Sequence, residues 1–427
     1  MNNSIILSRK CEADLLNFVK VVVNGQNKVN TNFCSEMLMG ILKSSSVLLS
    51  DIVRKNDRQV HIKDGVERLS RKLNTFDCSD VFDRYLQTIR EYLPEKPLFL
   101  VDDTDIVKPC SFKMEGLGLV ADGSDGHQLK KGYLLNEITA VSKKGQPISV
   151  SSVLYSTKEK EFLSANTVTK NAILNTIKKV SHEGTFVFDR GFDDVKLHAF
   201  LYKHKQNYII RAKNNRNVLV NGNELNIVEA AKTVKGKYNL SIKFQNGLKD
   251  NLKVSCKKIC LRKMPSVPLN MVIAYGFHED PNEPFILISN RKIENKETCL
   301  QIVMDYLSRW KIEEYFKFKK QNYQLENVRI RKLNALKNLN CFLTWVIGFI
   351  GLLQQQIYSR AIICLAKPIK EKVAFEYYRL HAGLAELLYN FKRKLNDFLY
   401  PTKLHKQYDL FHYEKYRNRI SNITKSA

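Results

Sequence analysis

Two apolar runs that end in aspartate constrain the fold more than any other feature of the sequence. The run PLFLV (97–101) leads into Asp102 and Asp103, and the run TFVF (185–188) leads into Asp189. Continuous apolar runs of this length are typical of strands buried on both faces of an α/β sheet. Because ligands of such sheets bind at the carboxyl ends of the strands, we expect these acids to lie at one sheet edge. A solvated strand end or a helix cap is the alternative for either position alone.

The order of the remaining patterns divides the chain into four parts. Apolar residues at helical spacing predict a helical region over 1–95, with a DNA-contacting or a purely structural role. Strands alternating with helices predict an α/β core over 96–213 and 291–355. Short strands between Gly, Asn and Pro turns predict a β-rich insertion over 214–290, and a helical basic region is expected over 356–427. The predicted fold class is α/β, a mixed sheet flanked by helices.

The charge of the chain points to an anionic partner. Its 69 Lys and Arg exceed its 43 Asp and Glu, which gives a formal net charge of +26. An excess of this size on a compact surface favours nucleic acid as the partner, and a basic protein without one is the alternative. The basic, tyrosine-rich tail over 405–419 is a candidate contributor to binding, with a solvated terminal helix as the alternative.

Cysteine usage and hydropathy indicate the compartment. Nine cysteines without framework spacing predict reduced thiols in the cytoplasm, and Cys256 and Cys260 lack a second pair at zinc-finger spacing. The N-terminus has no pattern of an export signal. The strongly apolar stretch over 339–353 is short for a membrane span, which predicts a buried core helix and no membrane partner.

A second set of polar residues lies on a helix predicted over 298–321. Tyr306, Arg309, Glu313 and Lys320 are separated by three, four and seven residues. At about 100° per residue they fall within roughly 60° of one another on one helix face. A solvated salt-bridge face is the alternative. A separate apolar stripe is expected to pack this helix on the sheet: Leu300, Val303, Leu307 and Trp310.

These residues resemble the motifs of a known family. Asp103 directly before Thr104, Asp189 in FDRGF, and the Y-(2)-R-(3)-E-(6)-K spacing are similar to the bacterial insertion-sequence DDE transposases of the insertion-sequence-4-like group. The resemblance covers about residues 95–330. It implies a ribonuclease-H-like core that is interrupted by a β-rich insertion, and the strand pattern predicts an insertion at that place.

The resemblance implies a metal-holding role for three acids. Asp103, Asp189 and Glu313 are expected to bind two divalent ions, Mg²⁺ or Mn²⁺. Asp102 is the rival for the first position, but the resemblance favours the acid directly before Thr104. Two ions held in this way activate a water or a 3′-hydroxyl and stabilise the leaving oxygen during displacement at phosphorus.

The same resemblance assigns DNA-binding residues. Arg309 and Lys320 are expected to bind phosphates, one through a planar fork and the other as a point charge, and Tyr306 to hydrogen-bond a phosphate oxygen. Phe285, in PFILISN, stands where the family has a tryptophan that stacks on a flipped base. A core phenylalanine in a buried strand is the alternative.

The function implied by the resemblance is cut-and-paste DNA transposition. The expected partner is double-stranded DNA with terminal inverted repeats, cut through hairpin ends by a homodimer on paired ends in the bacterial cytoplasm, at the nucleoid. A metal-dependent nuclease of the same fold and a non-catalytic DNA-binding protein are the alternatives. A tyrosine recombinase is disfavoured because none of the nine histidines begins an H-x-x-R motif.

Overall fold

The computed structural model describes residues 2–56, 61–123, 125–243, 249–277, 281–366 and 374–389. Within these ranges the chain forms a twelve-stranded mixed sheet flanked by helices, with further helices at both ends. The predicted α/β fold class is therefore confirmed. The basic tail over 405–419 lies outside the described residues.

The N-terminal region is helical. Each helix turns an apolar face inward: in the fourth, Gly65, Leu69 and Leu73 recur every four residues and are buried. The helices are α1 (Asn2–Val22), α2 (Lys28–Ser44), α3 (Leu49–Lys55), α4 (Ile62–Thr75) and α5 (Ser79–Arg90).

The centre of the sheet has the order β4-β3-β1-β5-β6. Strands β1, β5 and β6 are parallel, while β3 is antiparallel to β1 and β4 is antiparallel to β3. Helix α6 (Ala165–Lys179) leads from β4 to β5, and α7 (Val195–Lys203) connects the parallel strands β5 and β6. The strands are β1 (Leu98–Val107), β2 (Gly118–Asp122), β3 (Gln128–Val141), β4 (Pro147–Tyr155), β5 (Thr185–Phe188) and β6 (Asn207–Arg211).

The strands that follow extend the same sheet. Strand β12 pairs with β6 on one side and with β11 on the other, so the β-rich part continues the core without a gap. Asn221 and Gly222, both at positive φ, make the tight turn between β7 and β8. The sequence pattern missed β8 and α8. These elements are β7 (Asn217–Val220), β8 (Asn223–Asn226), α8 (Ile227–Lys232), β9 (Tyr238–Lys243), β10 (Lys249–Leu261), β11 (Met264–Tyr275) and β12 (Phe285–Ser289).

The helix predicted over 298–321 is divided, and the prediction of one continuous helix is wrong. It consists of α9 (Lys296–Leu307), α10 (Trp310–Lys317) and a π-helical turn over Phe318–Asn322. Ser308 Oγ donates to the Met304 carbonyl at 3.2 Å, and backbone amides between 308 and 312 donate to carbonyls three residues earlier. Such bonds tighten and bend a helix.

The buried face of α9 also differs from the predicted stripe. Its buried residues are Cys299, Ile302, Val303 and Tyr306. The face that packs on the sheet is therefore rotated toward Tyr306, because the predicted stripe members Leu300 and Leu307 are only half-buried.

A long apolar helix lies at the centre of the helical layer. Helix α11 (Leu333–Gln355) is long and apolar enough to cross a membrane, and 89% of its most apolar stretch is buried inside the fold. It packs against α2, α4, α5 and β4, as predicted for a core helix. Two more helices follow, α12 (Ser359–Leu365) and α13 (Tyr377–Tyr389), the latter packing on α11 and α12.

A buried ion pair joins the π-helical turn to the sheet and to α11. The Lys319 ammonium, fully buried, donates to Glu137 of β3 at 2.8 Å and to Ser152 of β4 at 2.9 Å. It also donates to Asn340 at 3.1 Å and Thr344 at 3.0 Å, both on α11. Burial lowers the pKa of Lys319, and Glu137 opposes that shift. Four oxygen atoms, shared among the three N–H groups of the ammonium, therefore compensate the cost of burying this cation.

We predict that Lys319→Met lowers the free energy of unfolding by about 3–5 kcal/mol, because it leaves the Glu137 carboxylate buried without its counter-ion. Denaturant unfolding measures this. The double variant Lys319→Met/Glu137→Leu should lose less, since both charges are removed. Lys317→Met is the matched control, because Lys317 forms an exposed pair with Glu314 at 2.7 Å and such pairs contribute at most about 1 kcal/mol. Equal losses for Lys319→Met and Lys317→Met would contradict the prediction.

Candidate active site

The register of two parallel strands brings a pair of acids together. Val101 of β1 is the partner of Phe188 of β5, so the next residues, Asp102 and Asp189, lie side by side on one face of the sheet. Asp189 also caps the short turn after β5, where its carboxylate accepts a hydrogen bond from the Gly191 amide. The sheet edge predicted from the sequence therefore carries two neighbouring carboxylates.

Asp103 lies on the opposite face of β1. Its carboxylate accepts a hydrogen bond from Asn136 of β3 at 2.7 Å, and Asn136 also donates to Thr169 of α6 at 3.2 Å. Successive side chains of a strand alternate between faces, so Asp102 and Asp103 cannot share one site. The geometry thus favours Asp102 over the predicted Asp103 as the partner of Asp189.

Arg309 links Asp102 to Glu313. Its guanidinium donates to Asp102 Oδ2 at 2.8 Å and, through its other terminal nitrogen, to the Glu313 carboxylate. Asp102 and Arg309 side chains are only 18% and 17% exposed, whereas that of Glu313 is 48% exposed. One cation therefore balances two acids at the sheet edge, with Glu313 nearest to solvent.

An aromatic cluster lies beside the acids. The buried Tyr306 packs edge-on against Phe285, with ring centroids 5.3 Å apart, and Phe277 contacts Phe285 at 4.9 Å. The Arg211 guanidinium, at the end of β6, lies over the Phe285 ring at 4.6 Å. Phe285 is half-buried, so it is both a packing residue and part of the site's wall.

Lys320 lies at the far end of the segment. Its ammonium is 3.4 Å from Asp105 of β1 and 3.2 Å from Glu326. These contacts hold Lys320 at the end of β1, in a different ion-pair cluster from that of Arg309. The structure thus gathers Tyr306, Arg309 and Glu313 in one cluster and places Lys320 in another.

Burial dominates the electrostatics of the acids. It raises the pKa of Asp102 to about 7, a shift that Asp189 increases and Arg309 opposes. It raises the pKa of Asp103 to about 6, opposed by the hydrogen bond from Asn136. Burial also raises the pKa of Tyr306, so its hydroxyl keeps its proton at neutral pH. Perturbed carboxyls of this kind are typical of functional sites.

The donor set at this edge suits a hard divalent cation. Asp102, Asp189 and Glu313 supply carboxylate oxygens, the ligands that Mg²⁺ and Mn²⁺ prefer. No three His, Cys, Asp or Glu side chains in the part of the chain that the structure describes lie close enough together to form a metal cluster. The group that lies between the Asp102 and Glu313 carboxylates is the positively charged guanidinium of Arg309, which forms an ion pair with each of them.

Sequence reasoning missed Arg211 and Asn136. The signal for Arg211 was present, because NYIIR is an apolar run that ends in a charge, like the runs before Asp102 and Asp189. Asn136 is a fully buried polar residue in the apolar strand GYLLNEITA. Its contact with Asp103 depends on the pairing of β1 with β3, and this pairing cannot be predicted from the local sequence pattern of either strand.

Comparison with known proteins identifies a family. A family model described as "Transposase DDE domain" matches residues 93–349, more than half of the chain, a range that contains Asp102, Asp103, Asp189 and Glu313. Members of this family use divalent metal ions. Curated proteins give no match to the chain.

Two solved structures are similar in outline. The cryo-EM structure of a piggyBac transposase synaptic complex with hairpin DNA is 12% identical, with a TM-score of 0.43, covering 99% of this chain and 85% of that one. The NurA nuclease from Sulfolobus solfataricus is 10% identical, with a TM-score of 0.26, covering 70% of this chain and 96% of that one.

We predict that Asp102 makes the stability of the protein depend on pH. Its folded pKa of about 7 lies above its ordinary 3.8, so the stability it contributes is fully present below about pH 4 and is lost as the pH rises through 7. In chelator, the difference in unfolding free energy between wild type and Asp102→Asn should change from pH 4 to 7, by a few kcal/mol at most.

Asp103→Asn is the companion variant. The folded pKa of Asp103 is about 6. The difference in unfolding free energy between wild type and Asp103→Asn should therefore stop changing about one pH unit below the pH at which the difference for Asp102→Asn stops changing. Thermal melts over this pH range measure both. A pH-independent difference for Asp102→Asn would show that its carboxyl is not buried as described.

Proposed function

Because the chain belongs to the transposase DDE-domain family, we propose that it moves a DNA element by cut-and-paste transposition. The observation that carries the proposal is the register of β1 and β5, which sets Asp102 beside Asp189. Arg309 then connects this pair to Glu313. Asp102 and Asp189 thus lie side by side at one edge of the sheet, and Glu313 is joined to Asp102 through the Arg309 guanidinium.

In this proposal Asp102, Asp189 and Glu313 hold the divalent ions. Asp103 was the first choice from the sequence, but its side chain lies on the α6 side of the sheet with Asn136. When bound, a pair of divalent ions supplies an activated oxygen nucleophile and stabilises the leaving oxygen at phosphorus. The three carboxylates provide the negative charge that retains such ions.

The neighbouring cations and the tyrosine bind the DNA strand. Arg309 presents a planar fork, and in the proposal it turns from Asp102 and Glu313 to a phosphate when the acids take up metal. Tyr306 keeps its proton and can donate a hydrogen bond to a phosphate oxygen. Arg211, which lies over Phe285, and Lys320, which lies beside Asp105, add further positive charge.

The proposal also includes the DNA substrate, the oligomeric state and the cellular compartment. Double-stranded DNA with terminal inverted repeats is the proposed substrate, bound by a homodimer on paired ends, and the net charge of +26 supports a polyanion. The nine cysteines are all free, which supports a reducing bacterial cytoplasm. The insertion-sequence-4-like subgroup remains the proposed placement within the family.

We predict that Glu313→Gln abolishes cleavage of element ends in Mg²⁺ while DNA binding is kept, because the variant removes one carboxylate charge from an exposed helix position. Asp102→Asn should have the same effect, whereas Asp103→Asn should retain cleavage. A gel assay on end-containing duplex, with anisotropy for binding, separates these results. Near-normal cutting by Glu313→Gln would overturn the assignment.

The products distinguish a transposase from a nuclease of the same fold. A transposase should join the cut ends to a target plasmid, and the joining should depend on the end sequence. Cutting without joined products, on any sequence, would favour the nuclease.

We also propose that Phe285 supports a hairpin intermediate. A tightly bent strand must release a base from the stack, and such a base gains about 1–3 kcal/mol on an aromatic ring. Phe285 is half-buried at the site's wall, beside Tyr306 and under the Arg211 guanidinium. A base could replace the cation over this ring, since both use its face.

Phe285→Ala is therefore expected to leave first-strand nicking intact and to reduce hairpin formation by roughly tenfold or more. Denaturing gels of end-labelled duplex resolve the two products. Phe277→Ala is the matched control, because Phe277 contacts Phe285 from the side of β11. If Phe285→Ala lowers the melting temperature and reduces both steps equally, the residue acts as core packing only.

A further inference from the structure

A basic cleft lies between the N-terminal helices and the segment that follows α10. It has a volume of about 970 Å³ and is lined by α3 and α4 on one side and by residues 324–332 on the other. The Val47 amide, just before α3, donates to the Tyr323 carbonyl at 3.0 Å, which joins the two walls at one end. None of the residues assigned above to the acids or the aromatic cluster lines this cleft.

The wall over 328–331 alternates like an edge strand. Val328 and Ile330 are buried, whereas Arg329 and Arg331 are exposed. In extended chain, side chains two residues apart lie on the same side, so the two guanidinium groups share one side of the wall. A pair of arginines at this spacing is suited to successive phosphates of one strand.

Hydrogen bonds from the end of β1 and from Glu115 fix the backbone of the segment over 328–331, here called the arginine wall. Lys108, at the end of β1 and 2% exposed, donates to the carbonyls of Leu325 at 3.3 Å and Val328 at 2.8 Å, and also to that of Glu326. The Glu115 amide donates to the Arg331 carbonyl at 2.8 Å. These bonds fix the backbone before any ligand binds, which reduces the entropy lost on binding.

The charged residues that line the cleft are mostly positive. Arg71 of α4 faces the arginine wall across the cleft, and the acid among the lining residues is Glu67. Within the described ranges, Arg71, Arg329 and Arg331 take part in no salt bridge, so their charges are not balanced by the protein. Unbalanced guanidinium groups in a fixed groove attract a polyanion.

The segment that carries Glu313 continues along the chain into one wall of the cleft. Lys320, seven residues after Glu313, is 3.2 Å from Glu326, and Glu326 is held by Lys108 at the start of the arginine wall. Glu326 lies between Gln324 and Asn327, which both line the cleft, so Lys320 is in contact with the segment that forms this wall.

We propose that this cleft binds the sugar-phosphate backbone of the DNA duplex next to the cut end, through Arg329, Arg331 and Arg71. The proposal rests on the proposed function for its choice of DNA. Phosphate contacts position the duplex without selecting its sequence. In this proposal the cleft therefore determines which phosphate of the strand lies at the acids.

The test is the salt dependence of binding to a short fluorescein-labelled duplex of mixed sequence, measured by anisotropy in chelator. Each lost phosphate contact lowers the slope of log K against log salt by about 0.9. Arg329→Ala/Arg331→Ala should therefore reduce the slope by about 2 and weaken binding by roughly tenfold. Arg329→Lys/Arg331→Lys, which keeps the charge, should retain most of the slope.

The matched control removes two exposed cations elsewhere. Lys178 of α6 and Lys203 of α7 are exposed and lie with the helices that cover the Asp103 side of the sheet. Lys178→Ala/Lys203→Ala should leave the slope unchanged. An equal slope for the cleft variant and this control would overturn the proposal.

Binding in chelator also separates this inference from the proposed function. If wild type binds with a steep slope that depends on Arg329 and Arg331 but never cuts, the cleft stands and the transposase proposal fails. If wild type cuts normally and the cleft variant binds and cuts like the control, the cleft proposal fails alone.

Discussion

The buried contact between Lys319 and Glu137 connects the parts of this protein on which the candidate site depends. One ammonium joins β3, β4 and α11 through four acceptors. Because Lys319 must point inward, the next residue, Lys320, is directed to the end of β1. Both lysines lie in the π-helical turn over Phe318–Asn322, where the Lys319 side chain is fully buried and that of Lys320 is 19% exposed. A buried charge with several fixed partners tolerates few alternative packings, so the segment that carries Arg309 and Glu313 has one position on the sheet.

The alternation of side chains along β1 gives two adjacent acids different environments. Asp102 faces Asp189 and Arg309, whereas Asp103 faces Asn136 and α6. The proposed chemistry uses the first face, where a cation and a second acid are within reach. The second face keeps its acid in a hydrogen-bonded, half-buried position beneath the helices.

A second buried network anchors the loop after Asp189. The Asp193 carboxylate contacts His198 at 3.0 Å and accepts a hydrogen bond from the Arg216 guanidinium, also at 3.0 Å. Arg216 directly precedes β7, so this network ties the acid-bearing loop to the start of the β-rich part. Strand β12, which carries Phe285, returns between β6 and β11. The position of Phe285 beside Tyr306 thus depends on the whole β-rich part being fastened at both ends.

The sequence by itself determined the fold class, the acids at the ends of two buried strands and the polar residue types of the α9–α10 segment, because local apolar periodicity and residue type carry that information. For the first acid the resemblance favoured Asp103 over Asp102, whereas PLFLV is apolar at every position and shows no alternation that marks a face. The pairing of β1 with β3 and β5 places Asp102, and not Asp103, beside Asp189. The bend at Ser308, the contact of Arg211 with Phe285 and the cleft between α4 and Arg329 were likewise decided by tertiary structure, because each joins residues whose contact depends on packing and not on neighbouring sequence.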